Sequence, residues 1–105
     1  MKIAIAGMGA VGALMAARLA QVGADVSALA RGATLAALQA HGVRVRQEGG
    51  VAQAPLRAAA DAAALGIQDA VIVAVKATAM RELAPQLAPL IGPHTMVVSA
   101  MNGVP

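Results

Sequence analysis

The sequence predicts an α/β domain, doubly wound around a mostly parallel sheet. Three observations carry this expectation. Residues 2–6 (KIAIA) form a short apolar run of strand type, and from Ala10 the apolar period lengthens to that of a helix. Residues 25–30 (DVSALA) then return to strand character, so strand, helix and strand follow one another within about thirty residues, the span of a βαβ unit. Finally, residues 69–76 (DAVIVAVK) are a nearly continuous apolar run of the kind that fills an interior position of a parallel sheet.

The remaining elements follow in order. Val11, Leu14, Met15, Arg18, Leu19 and Val22 share the spacing of one helical face, and Gly23 stands where a helix commonly stops. Residues 34–41 (TLAALQAH) read as a second short helix, closed by Gly42. Residues 43–47 alternate apolar and basic side chains, 48–50 (EGG) signal a turn, and 51–57 return as the hairpin partner. One helical turn is expected at 61–65, before Gly66. A helix over 78–91 takes Thr78 as its N-cap and ends at Gly92-Pro93. Pro85 should kink or split it, because proline lacks the backbone donor. Residues 95–100 form the last strand.

Composition narrows the function. At 105 residues the chain is one domain at most; 59% of it is hydrophobic, 12% is charged, and no aromatic residue occurs. A core without rings, each of which buries roughly 150–250 Å², calls for more chain or a partner subunit, a homodimer among them. The net charge is +3, but the eight basic residues are scattered and no aromatics alternate with them, which argues against a nucleic-acid surface. Without cysteine there are no disulfides or thiolate sites, in keeping with a reducing compartment such as the cytoplasm. The apolar stretch 3–17 is broken by glycines and ended by Arg18, short of the roughly 20 residues a membrane span needs.

The chemistry concentrates at the first strand–helix junction. Gly7-Met8-Gly9-Ala10-Val11-Gly12 fits G-x-G-x-x-G directly after a strand and opening a helix, the context a dinucleotide pyrophosphate requires. Gly7 permits the tight turn, Gly9 lets the phosphates approach the backbone, and Gly12 brings helix and strand together. A helix N-terminus adds unpaired N–H groups and the positive end of its dipole. Arg31 follows the second strand, 19 residues beyond Gly12, and no acid lies between Asp25 and Glu48. A guanidinium there suits a 2′-phosphate, so NADP is expected over NAD. Lys76 and Asn102 follow later strands and are expected at the carboxyl ends where ligands bind. Plainer roles fit the same residues: a small-residue turn, a solvated arginine, a strand-end lysine, an Asn-Gly turn. His41 and His94 lack partners at metal-ligand spacing, the six methionines read as core filler, and Ser99 lacks the surroundings of a nucleophile.

Taken together, KIAIAGMGAVG, Arg31, VIVAVKA and VVSAMNGVP resemble the ketopantoate reductase (2-dehydropantoate 2-reductase) family across all 105 residues. The resemblance implies a Rossmann-type domain, residues 1–105, of an NADPH-dependent oxidoreductase that converts 2-dehydropantoate, or a related 2-keto acid, to (R)-pantoate in pantothenate and coenzyme A biosynthesis. It implies that the glycine loop holds the pyrophosphate, that Arg31 holds the 2′-phosphate, that Lys76 contacts the cofactor, and that Asn102 touches both cofactor and substrate. The family's catalytic lysine and substrate-binding glutamate belong to a helical C-terminal domain without counterpart here. A piece of a longer protein, inactive by itself, is therefore expected. One departure is Met101, where the family often has glutamine. The competing reading is a non-catalytic nucleotide-sensing module, a Rossmann domain whose ligand switches a partner; a remnant that binds nothing tightly is the third.

Overall fold

A computed structural model of the chain describes residues 1–47, 49–75 and 77–100. Five strands form one sheet: β1 (Lys2–Ala6), β2 (Asp25–Leu29), β5 (Arg57–Ala59), β6 (Ala70–Val73) and β7 (Met96–Ser99). Their order across the sheet is β5-β2-β1-β6-β7, and every pairing is parallel. The chain winds outward from β1 through β2 to β5, crosses back to β6, and winds outward again to β7. This is the doubly wound, Rossmann-type arrangement, with its switch point between β1 and β6.

Side-chain alternation along the strands sends residues to two cores. Ile5, Val26 and Ala28 pack on one face with Ala16 and Ala17 of helix α1 (Ala10–Gln21) and Leu38 of helix α2 (Gly32–His41). Ala4, Ala6, Leu29, Val71 and Val73 pack on the other. There they meet Ala62 and Leu65 of the one-turn helix α3 (Ala62–Leu65), and Leu87 and Leu90 of a 3₁₀ helix, Ala84–Leu90. Burial on both faces explains why β1 and β6 read as continuous apolar runs rather than alternating ones.

Helix α1 buries a different stripe from the one its larger side chains suggest. Val11 and Val22 are exposed, whereas Gly12, Ala16 and Ala17 are buried, with Met15 and Leu19 packed at the flank. Small residues let the helix axis lie close to the sheet, and the bulky ones are left at the sides. Gly23 closes the helix as the sequence suggests. Its amide donates to the Ala20 carbonyl at 3.1 Å, and that of Ala24 donates to Leu19 at 3.0 Å, the paired bonds of a Schellman turn.

The hairpin is real but shorter than expected. Strands β3 (Val43–Gln47) and β4 (Gly50–Ala54) pair antiparallel from Val43↔Ala54 to Gln47↔Gly50 and pack beside α1. The return strand was expected to run on to Arg57; instead Pro55, which has no N–H for the ladder, ends it. Residues beyond that proline enter the main sheet as β5, beside β2, and the Ala30 amide extends this ladder by donating to Ala59 at 3.0 Å.

The expected long helix after β6 is split. Helix α4 (Ala77–Leu83) gives way to the 3₁₀ helix at Ala84, with Pro85 in its first turn and Pro89 further along. A proline in a first turn sacrifices no internal bond, so the break falls where the missing donor is harmless. Asp61 caps α3: its carboxylate accepts from the Ala63 amide at 3.0 Å. At the other edge, β7 leaves Met96, Val97 and Val98 exposed. No helix among the described residues is long and apolar enough to cross a membrane.

Candidate functional site

The switch point opens into a cleft of about 580 Å³ at the carboxyl ends of β2, β1 and β6. Gly7, Met8 and Gly9 form its floor. Leu29, Ala30, Arg31 and Thr34 line it from the β2 side, and Ala74, Val75, Glu82 and Leu83 from the β6 side.

The three glycines of the loop have different tasks. Gly7 has φ +100°, which side chains rarely adopt, and an added Cβ would stand 2.7 Å from the Ala74 carbonyl oxygen and against the Val75 side chain. A Cβ on Gly12 would collide with the Gly7 carbonyl oxygen. These two positions weld the turn to the helix and to the end of β6. Gly9 is the reverse: it has an ordinary φ of −71°, and nothing lies within 4 Å of where its Cβ would be. Packing does not explain a glycine there, and the space above its backbone is open.

Gly9 is also the N-cap of α1 and has no side chain with which to cap it. The helical ladder begins with the Ala13 amide donating to the Gly9 carbonyl at 2.9 Å. The amides of Ala10, Val11 and Gly12 precede it and have no acceptor within the helix. No acidic residue occupies this first turn. Positive partial charge, bare N–H groups and free space therefore coincide, which is the environment that receives phosphate oxygens. By this test a dinucleotide pyrophosphate fits the residues present.

Arg31 is the N-cap of α2, in an extended conformation, exposed, and on the wall of the same cleft. Thr34 lies one turn further along and lines the cleft with it. Two of the lining groups, Thr34 and Glu82, belong to none of the motifs read from the sequence. Thr34 could have been found from its three-residue spacing from Arg31 on a helix. Glu82 could not, because only the crossover after β6 brings it near the glycine loop. Lys76, Asn102 and its neighbour Met101 lie outside the described residues.

The other candidates are spent on structure. His41 ends α2, and its carbonyl accepts from Gln53 Nε2 at 3.3 Å, beside a depression of about 530 Å³ that the glycine loop does not line. His94 is exposed in the turn before β7, which Thr95 fastens: its hydroxyl donates to the Gln68 carbonyl at 2.6 Å and accepts from the Gly92 amide at 2.8 Å. Among the described residues no group of three or more His, Asp or Glu is placed to hold a metal ion.

A doubly wound α/β domain with an uncapped, glycine-built helix N-terminus at its switch point belongs to the dinucleotide-binding class of architectures. Known proteins narrow the class. The family described as ketopantoate reductase PanE/ApbA matches residues 3–105. A 2-dehydropantoate 2-reductase of Mesorhizobium japonicum is 51% identical over 106 residues, which cover all of this chain and 32% of that protein. A Ralstonia solanacearum MolK2 protein assigned to the ketopantoate reductases superposes with a TM-score of 0.92 at 58% identity, over 99% of this chain and 32% of its own. D-mandelate dehydrogenase, solved with NADH and anilino(oxo)acetate, superposes with a TM-score of 0.88 at 28% identity, over 100% of this chain and 35% of its own. The chain belongs to the ketopantoate reductase PanE/ApbA family. It spans about a third of the length of these relatives.

Proposed function

We propose that residues 1–105 are the cofactor-binding domain of an NADPH-dependent 2-dehydropantoate 2-reductase, or of a reductase acting on a related 2-keto acid. The observation that carries the reading is Gly9, a glycine that the fold does not need, at the open end of α1 and in the same cleft as Arg31.

Each part of the cleft has a task in this reading. The amides of the first turn of α1 hold the pyrophosphate, and Gly9 leaves the way clear. Arg31 holds the 2′-phosphate through charge-assisted hydrogen bonds, with the Thr34 hydroxyl as a neutral partner. Lys76 and Asn102 are assigned, by family resemblance, to the cofactor and to the cofactor and substrate respectively. The bound dinucleotide would supply a hydride to the carbonyl carbon of the keto acid, and the protein supplies position and charge. The proton donor and the substrate pocket are assigned to the other two-thirds of such a reductase, in a helical domain. Reduction of the keto acid by the 105-residue chain alone is therefore expected to be undetectable.

Titration of the chain with NADPH, NADH and ATP tests the reading. NADPH should bind tightest, and Arg31→Ala should reduce its advantage over NADH by about tenfold to a hundredfold, the worth of hydrogen bonds between charged groups, about 1.5–3 kcal/mol. The NADH bound by the D-mandelate dehydrogenase relative makes NADH the cofactor to beat. Tighter binding of NADH would reassign the cofactor, and tighter binding of ATP would favour a nucleotide-sensing module.

A further inference from the structure

The cleft is electrically polar across its width. Sheet order places the end of β2 and the end of β6 on opposite sides of the glycine loop, so Arg31 comes from one side and Glu82 from the other. Glu82 is the one carboxylate among the described lining residues. It sits on the last turn of α4, exposed, beside the half-buried Leu83.

A phosphate would be repelled from the Glu82 side and drawn to Arg31. A group bearing an N–H would be drawn to Glu82. The adenosine 2′-phosphate end of the cofactor proposed above has both: an anion on the ribose and an exocyclic amino group on the base. Leu29, Ala30 and Leu83 offer the flat base apolar surface, and the exposed carboxylate of Glu82 lines the same cleft.

We propose that Glu82 is a specificity-determining residue whose carboxylate accepts a hydrogen bond from the 6-amino group of the adenine. This rests on the cofactor reading and adds to it the recognition of the base. A carboxylate in that position selects adenine over hypoxanthine, whose 6-oxo group presents a second acceptor in place of the donor. Local sequence does not disclose the role, because Glu82 reaches the base only through the crossover from β6 to α4.

The test compares binding of NADPH, NADH and the hypoxanthine analogue of NADPH to the wild-type chain, Glu82→Ala and Glu82→Gln, by calorimetric titration. The wild type should prefer NADPH to the analogue by about tenfold or more, as expected when a charged acceptor is involved. Glu82→Ala should cut that preference to within about threefold and weaken NADPH and NADH by the same factor, since both carry adenine. Glu82→Gln keeps an acceptor oxygen and adds a donor, so it should retain NADPH binding while admitting the analogue. Two results would overturn the proposal. One is a preference unchanged in Glu82→Ala. The other is NADPH binding that tightens in Glu82→Ala while NADH binding stays constant, which would place the carboxylate beside the 2′-phosphate instead. A wild-type chain that binds neither dinucleotide overturns the cofactor reading itself, a distinct failure. Glu82 is exposed, so unfolding curves of all three proteins should coincide to within about 0.5 kcal/mol.

Discussion

The inner and outer sides of the β1–α1 loop are made of the same residue type for opposite reasons. On the inner side, Gly7 and Gly12 are enclosed: their missing side chains let the turn nest against Ala74 and let α1 sit on the Gly7 carbonyl. On the outer side, Gly9 faces open space that no other part of the domain fills. The inner glycines are accounted for by folding, whereas packing leaves the outer one unexplained and the proposed cofactor site would use it. A G-x-G-x-x-G match therefore contains two signals, and only the outer one has no explanation in packing.

Breaking the inner side should have the largest effect. Gly12→Ala drives a Cβ into a backbone carbonyl that cannot rotate away, and overpacking of this kind costs about 1–3 kcal/mol. In a domain of this size that corresponds to roughly 10–20 °C of melting temperature at the upper end, read by thermal unfolding. Gly42→Ala is the matched control. Gly42 has φ +73° and ψ −165°, a glycine-only region, and its Cβ would meet the Ala54 carbonyl. It should lose a comparable amount of stability, yet bind NADPH normally per folded molecule, because it lies outside the cofactor cleft. Gly12→Ala should lose both.

The outer side gives the converse result. Gly9→Ala meets no atom within 4 Å, so the only folding cost is a poorer N-cap, about 1 kcal/mol or less. Its methyl group would occupy the approach to the α1 amides, and NADPH affinity should fall by about tenfold or more as one charge-assisted contact is lost. Calorimetric titration beside a denaturant curve separates the two quantities. Unchanged affinity in a folded Gly9→Ala chain would remove the pyrophosphate from this site.

Much of this was legible in the sequence because it depends on local chemistry. Strand β1, the stop at Gly23, the hairpin turn and the break at Pro85 each follow from one residue type whose backbone tolerates only certain positions. The parts that escaped depend on what the chain meets after folding. Residues 57–59 (RAA) are only three, two of them alanine, and nothing in them announces an edge strand; Pro55 was the available warning. The buried stripe of α1 consists of Gly12, Ala16 and Ala17, which carry less hydrophobicity than the exposed Val11 and Val22. Closeness of approach outweighs apolar area there, and periodicity of large residues cannot register it. Glu82 joins the cleft by topology alone.

The smallest expected effect sharpens the comparison by distinguishing two kinds of phosphate contact. In the proposed reading the amides at the start of α1 act at short range through fixed dipoles next to the glycine loop, whereas Arg31 acts from an exposed position on the cleft wall. Mobile ions screen an exposed charge strongly, since the Debye length contracts from about 10 Å at 0.1 M salt to about 3 Å at 1 M. On the proposed reading an advantage of NADPH over NADH depends on Arg31, and it should shrink by a few-fold across that range. Affinity for NADH, which uses the amides but has no 2′-phosphate, should change less. Titrations at the two salt concentrations read both numbers from one protein. If instead both cofactors weakened in parallel, the 2′-phosphate would not be meeting the arginine, and the preference would have to arise from the amide-lined floor.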